Sequence, residues 1–147
     1  MTIMKGQALT HALVTGFGVV IIIILIVVLT NSASQYKTYV AESELGNVCL
    51  LVASAVEDIQ PLSSYRSATP TLLAVVRLEL PDRIGSVPYR VSFIDGNVTV
   101  ETQDNPKRRA SCAAGFGQEL RGSSNGGLTE VRLVRTSVGD MVEMVKL

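Results

Sequence analysis

The pattern of apolar and polar positions is dominated by one run near the start of the chain. From Ala12 to Leu29 the residues outside the aliphatic set are Thr15, Gly16, Phe17 and Gly18, and from Val19 to Leu29 every side chain is Val, Ile or Leu. A core helix of a soluble protein carries polar residues on one face with a period near 3.6, and no polar residue recurs in this run after Thr15. At about 1.5 Å rise per residue the run crosses a hydrocarbon core of roughly 30 Å. Val and Ile have modest helix propensity in water, but in lipid the backbone bonds only to itself, so the run is predicted to be helical.

Past Leu29 the pattern changes twice. Asn31 to Ser34 form a polar patch, predicted as a bend where the helix leaves the bilayer. Tyr36, Tyr39, Val40, Leu45, Val48, Val52 and Val56 then recur at helical spacing, with Glu42, Glu44, Glu57 and Asp58 off that stripe, which predicts an amphipathic helix continuing to about Ile59. Gly46-Asn47 is its weak point, and Pro61 with Ser63-Ser64 ends it.

The remainder alternates with a period of two. Thr71 to Leu80 reads as a strand stopped by Pro81-Asp82, and Tyr89 to Phe93 and Val98 to Glu101 as a hairpin around Asp95-Gly96. Gln103 to Arg109 reads as a polar loop, Ala110 to Leu120 is ambiguous, and Gly122 to Gly127 reads as a flexible loop. Val131 to Arg135 and Met141 to Lys146, joined by Ser137 to Asp140, form a closing hairpin. The expected class is α+β, a long N-terminal transmembrane helix packed on a small antiparallel β-sheet of about five strands. Residues 7–30 would be the membrane segment, 31–60 the outer half of the helix and 61–147 the β domain.

Charge orients this plan. Lys5 and the α-amino group are the only cations before the run and Lys37 is the next, so the N-terminus is expected inside and the C-terminal domain outside the cell. The 147 residues carry a formal net charge of zero, and the single cation cluster, Lys107-Arg108-Arg109, has no aromatic residues interleaved. It reads as a solvated loop, and no nucleic-acid partner is expected. Cys49 and Cys112 are the only cysteines. An even count in an oxidising compartment predicts one disulfide, worth on the order of 3–5 kcal/mol, with two buried reduced thiols as the alternative.

Chemistry is sparse. The single histidine, His11, lies at the membrane edge, so Ser111 and Ser137 have no imidazole base, and two cysteines are too few ligands for a metal. The Gly16-x-Gly18 and Gly115-x-Gly117 pairs lack the third glycine of a dinucleotide fingerprint. Glu42-Glu44 and Glu57-Asp58 belong to a solvated helix face. No enzyme, cofactor or metal is expected. Asn97-Val98-Thr99 is an N-glycosylation sequon beside a hairpin turn.

Two features at the N-terminus bear on assembly. Ala8, Ala12 and Gly16 lie four apart on one helix ridge, where small residues let a neighbouring helix approach. Lys5-Gly6-Gln7, immediately before the apolar run, resembles the processing site of archaeal type IV pilins and archaellins, the class III signal peptide. That resemblance covers about the first thirty residues. It implies cleavage by a prepilin peptidase after Gly6, removal of residues 1–6, and retention of the apolar helix on a protein that starts at Gln7. It also implies a pilin-like fold, membrane insertion and self-association with other pilin-like subunits in a surface filament. His11 stands where bacterial type IV pilins carry a glutamate, an acid that archaeal members commonly lack.

Three expectations therefore stand side by side. In the first, the helix assembles into or anchors an archaeal surface filament. In the second, the chain is a single-pass anchored extracellular binding module that does not polymerise. In the third, a signal peptidase cuts near Ala33 in Asn31-Ser32-Ala33-Ser34 and releases a soluble domain.

Overall fold

The computed structural model describes residues 3–64, 71–117 and 119–147, with side chains from residue 13 onward. A single helix, α1 (Ile3–Ile59), is followed by a 3₁₀ turn (Gln60–Ser64). Seven strands come next: β1 (Leu72–Leu80), β2 (Tyr89–Ile94), β3 (Asn97–Thr102), β4 (Arg109–Ala113), β5 (Glu119–Ser124), β6 (Gly127–Arg135) and β7 (Asp140–Lys146). They form one sheet in the order β1-β6-β7-β5-β2-β3-β4. Every pairing is antiparallel except β5 with β7. The class is α+β. The chain divides into two compact units, one ending at Tyr39 and the other formed by Val40–Leu147.

α1 begins at Ile3 rather than near Gln7 and runs unbroken through both expected weak points. The polar patch after Leu29 does not interrupt it, and the hydroxyls beside the patch bond back to carbonyls of the preceding turn instead of competing for its N–H groups. Thr30 Oγ1 donates to Ile26 O at 2.6 Å and to Val27 O at 3.0 Å, and Thr38 Oγ1 donates to Ser34 O at 3.2 Å.

In the second unit, α1 turns one face to the sheet. Ala41, Leu45, Val48, Cys49, Val52, Val56 and Ile59 are buried against Leu78, Leu80, Tyr89, Val91, Val98, Val100, Val131, Leu133, Val142 and Met144. Each Val or Leu so buried contributes roughly 1.5–3 kcal/mol. Tyr36 and Tyr39, expected on the same stripe, are 70% and 71% exposed, so the buried face starts at Ala41. A loop fastens that end of the core. Gly85 N–H donates to Glu44 Oε2 at 2.8 Å, and a Cβ on Gly85 would lie 3.2 Å from Ala41 Cβ.

Two strands stand where the sequence predicts loop or ambiguity. β4 takes up the end of the expected polar loop and the start of the ambiguous stretch, since β3 offers it a full antiparallel edge from Asn97↔Ala113 to Glu101↔Arg109. β5 takes in Gly122 to Ser124 because β7 and β2 flank it. Gly122 has φ +103°, and a Cβ there would collide with the Met144 carbonyl, so the close approach to β7 requires glycine. The Asp95-Gly96 turn forms as expected, with φ of 51° and 77° at its two residues, the left-handed pair of a type I′ hairpin.

Candidate functional site

The feature of the first unit that needs a partner is its apolar surface. Every side chain from Val19 to Leu29 is between 48% and 67% exposed, and nothing lies within 4 Å of a Cβ placed on Gly16 or Gly18. Among the described residues, this helix is the one long and apolar enough to cross a membrane. Lys5, Gly6, Gln7, Ala8, His11 and Ala12 fall within the backbone of α1 but outside the residues whose side chains are described. Of the small-residue ridge, the described structure therefore contains Gly16 alone, open on its side of the helix.

In the second unit, Cys49 on α1 and Cys112 on β4 form a disulfide with Cα atoms 5.9 Å apart and a sequence separation of 63. The bond fixes the helix over one end of the sheet. Beside it runs an open groove lined by Asn47, Leu50, Leu51 and Ser54 of α1 and by Ala113 of β4. Leu50 and Leu51 are 62% and 43% exposed there, apolar surface that the sequence periodicity did not single out.

The sheet face away from α1 carries charge. Glu130 on β6 is buried beneath two guanidinium groups: Arg77 Nε donates to its Oε1 at 2.8 Å, and Arg132 Nε and Nη2 donate to its Oε2 at 2.9 and 2.6 Å. The hydrogen bonds from Arg132 and then Arg77 hold this carboxyl below the usual range against the opposing effect of desolvation. Tyr89 is buried and donates its hydroxyl to Pro81 O at 2.6 Å. Burial, and secondly the charge of Asp82, push its pKa up to about 12.

The remaining sequence candidates are spread through the second unit. Asn97 opens β3 half-buried, with Nδ2 donating to Asp95 O at 3.4 Å, while Thr99 of the same sequon is buried. The cation cluster is partly neutralised, Lys107 by Glu101 at 3.0 Å and Arg108 by Asp104 at 3.9 Å. Arg109 stands in β4 rather than in a loop. Among the described residues no group of three His, Cys, Asp or Glu side chains is arranged to hold a metal.

These features define an α+β protein with an exposed apolar N-terminal helix and a disulfide-bonded β unit. Residues 6–145 match the family of unknown function DUF7266, and the chain belongs to that family. No curated protein and no solved structure matches it.

Proposed function

We propose that this chain is a type IV pilin-like, non-enzymatic protein of an archaeal cell envelope. It is inserted as a precursor, cut by a prepilin peptidase between Gly6 and Gln7, and held with its C-terminal unit outside the cell. Its helix then assembles into, or anchors, a surface filament. The observation that carries this reading is the uniformly exposed Val/Ile/Leu surface from Val19 to Leu29. In water that surface is strongly unfavourable, whereas lipid covers it before assembly and neighbouring helices can cover it afterwards. The Lys5-Gly6-Gln7 motif supplies the processing step, and the Cys49–Cys112 bond suits an oxidising compartment outside the cytoplasm.

The test joins the mature N-terminus to the assembly state. Intact mass and N-terminal sequencing of membrane fractions are expected to find a chain starting at Gln7, and electron microscopy of sheared cells to find filaments containing it. A chain starting at Met1 removes the processing step. One starting near Ser34 makes this a secreted domain, and a correctly processed chain that never assembles makes it an anchored binding module.

A further inference from the structure

The two ends of the sheet are complementary to each other. β1 and β4 are its edge strands, and among the described residues nothing pairs with their outer sides. β1 is nine residues long and rich in Leu and Val; its register is irregular between Leu72 and Ala74, and from Ala74 to Leu80 it is a regular edge with Arg77 and Glu79 as its charged residues. We propose that β1 of one copy of this chain adds to β4 of the next, extending the sheet from copy to copy.

Direction comes first. Following the pairings across the sheet, β1 and β4 run in opposite senses. Two copies set side by side in the same orientation therefore bring β1 against β4 as an antiparallel pair, with both sheets turning the same face to their helices. A two-fold β1-to-β1 contact would instead reverse one copy.

Backbone parity comes next. Leu147 N–H bonds to Leu128 O and Arg135 N–H to Thr71 O, so the odd-numbered residues of β6 face β1. Their partners there, Ala74, Val76, Leu78 and Leu80, are even-numbered, which leaves the N–H and C=O groups of Val75, Arg77 and Glu79 aimed outward. On the other edge Thr102 N–H bonds to Arg108 O, so Ala110 and Cys112 face β3 while Arg109, Ser111 and Ala113 aim outward. One register, Glu79↔Arg109, Arg77↔Ser111 and Val75↔Ala113, pairs all three outward residues of each strand.

Side chains select that register. Glu79 and Arg109 lie on the sheet face away from α1, neither makes an ion pair among the described residues, and the register sets them directly opposite. A slip of two residues one way would set Arg77 against Arg109, and the other way would set Arg109 against Pro81. On the α1 side, Val76 meets Cys112 and Leu78 meets Ala110, all four of which pack on the core within one copy. The incoming β1 thus brings Val76 alongside the groove where Leu50 and Leu51 are exposed. A contact between two different surfaces of the same chain builds rows or filaments unless its rotation closes it into a ring.

This contact belongs to the sheet rather than to the apolar helix, so it stands or falls separately from the processing and membrane steps. Association of the full chain, in membranes and in detergent, is the measurement. Glu79→Arg and Arg109→Glu are each expected to weaken association roughly 2–30-fold, and the double exchange to restore it. Val75→Pro removes an outward N–H without touching the β6 ladder and is expected to abolish the contact while thermal unfolding stays cooperative. With Arg109→Lys, a zero-length carbodiimide is expected to link Lys at 109 to Glu79 between isotopically distinct copies and to give a ladder of oligomers. The proposal is overturned if the parent shows no association, if the charge-reversed chains associate like the parent, or if Lys at 109 links only to carboxylates of its own copy. Filaments that persist unchanged in all these variants would leave the pilin-like reading standing and remove the edge contact.

Discussion

Arg135, the last residue of β6, holds Asp140, the first of β7, in a two-point grip. Nε donates to Oδ1 at 2.6 Å and Nη2 donates to Oδ2 at 2.7 Å. Nη2 also donates to Ser63 O at 2.6 Å, so one guanidinium ties the closing hairpin to the turn that ends α1. The hydrogen bond from Arg135 is the main cause that lowers the Asp140 pKa, with the Arg135 charge adding to it and desolvation opposing it.

The sign of the pH dependence follows from that shift. A carboxyl whose pKa is lower in the folded than in the unfolded state contributes stability above its unfolded value, about pH 4, and loses it as the pH falls through the folded value. Glu130 is shifted the same way and adds to the effect. Thermal unfolding of the full chain in detergent is expected to occur at lower temperature as the pH drops below about 4. Asp140→Asn should lower the neutral-pH midpoint and flatten the acid slope. Equal acid slopes for parent and variant would show that this pair does not govern the dependence.

The Cys49–Cys112 bond closes a long loop between α1 and β4, separated by 63 residues. Chain-entropy reasoning puts its contribution at about 4 kcal/mol. Paired Cys49→Ala and Cys112→Ala substitution is expected to lower the urea midpoint accordingly, with cooperativity retained because the rest of the core is intact. Peptide mapping without reductant should recover the linked pair from native protein. Free thiols that alkylate readily at both positions would contradict the bond.

Gly122 tests the parallel pairing of β5 with β7. Its φ of +103° suits glycine alone, and an added Cβ would meet the Met144 carbonyl. Gly122→Ala is expected to cost roughly 1–3 kcal/mol in backbone strain, and more from the collision. Gly96→Ala has open space around its Cβ and a φ of +77°, so it carries the strain without the collision and should cost less. Denaturation midpoints of the two variants give the comparison, and equal losses would count against a close β5–β7 approach.

Much of this architecture is legible in local pattern. The Val/Ile/Leu run, the end of β1 at Pro81, the Asp95-Gly96 hairpin and the pairing of the two cysteines each follow from a few adjacent residues or a simple count. β4 and β5 do not, because Ala110, Ser111, Gly122 and Ser123 are weak strand formers that become strands only when β3, or β7 and β2, present edges to them. Tyr36 and Tyr39 mislead for a related reason. They continue the spacing of the buried stripe, but the core they would join begins at Ala41. The proposed pairing of Glu79 with Arg109 of the next copy is farther from local pattern still, since it depends on strand order and on which way each backbone group points.

The ridge of Ala8, Ala12 and Gly16 supplies the last prediction, which separates insertion from assembly. Gly16 is exposed on α1 with nothing within 4 Å of an added Cβ, so a larger side chain fits a single protomer without clash. Ala12→Leu and Gly16→Leu keep the run apolar, and the second also removes a helix-weakening glycine, so membrane insertion and the folding of the second unit should survive. In an assembly the same side chains would hold neighbouring helices apart, because close backbone approach requires small residues along the contact. Filaments or co-purified oligomers are expected to be lost in both variants while membrane fractions retain normal amounts of protein. Leu25→Ile, which changes shape with little change in volume, should assemble like the parent. If both Leu variants also assemble like the parent, the helix contact lies on another face of α1, and the exposed Val/Ile/Leu surface must be covered without help from the small-residue ridge.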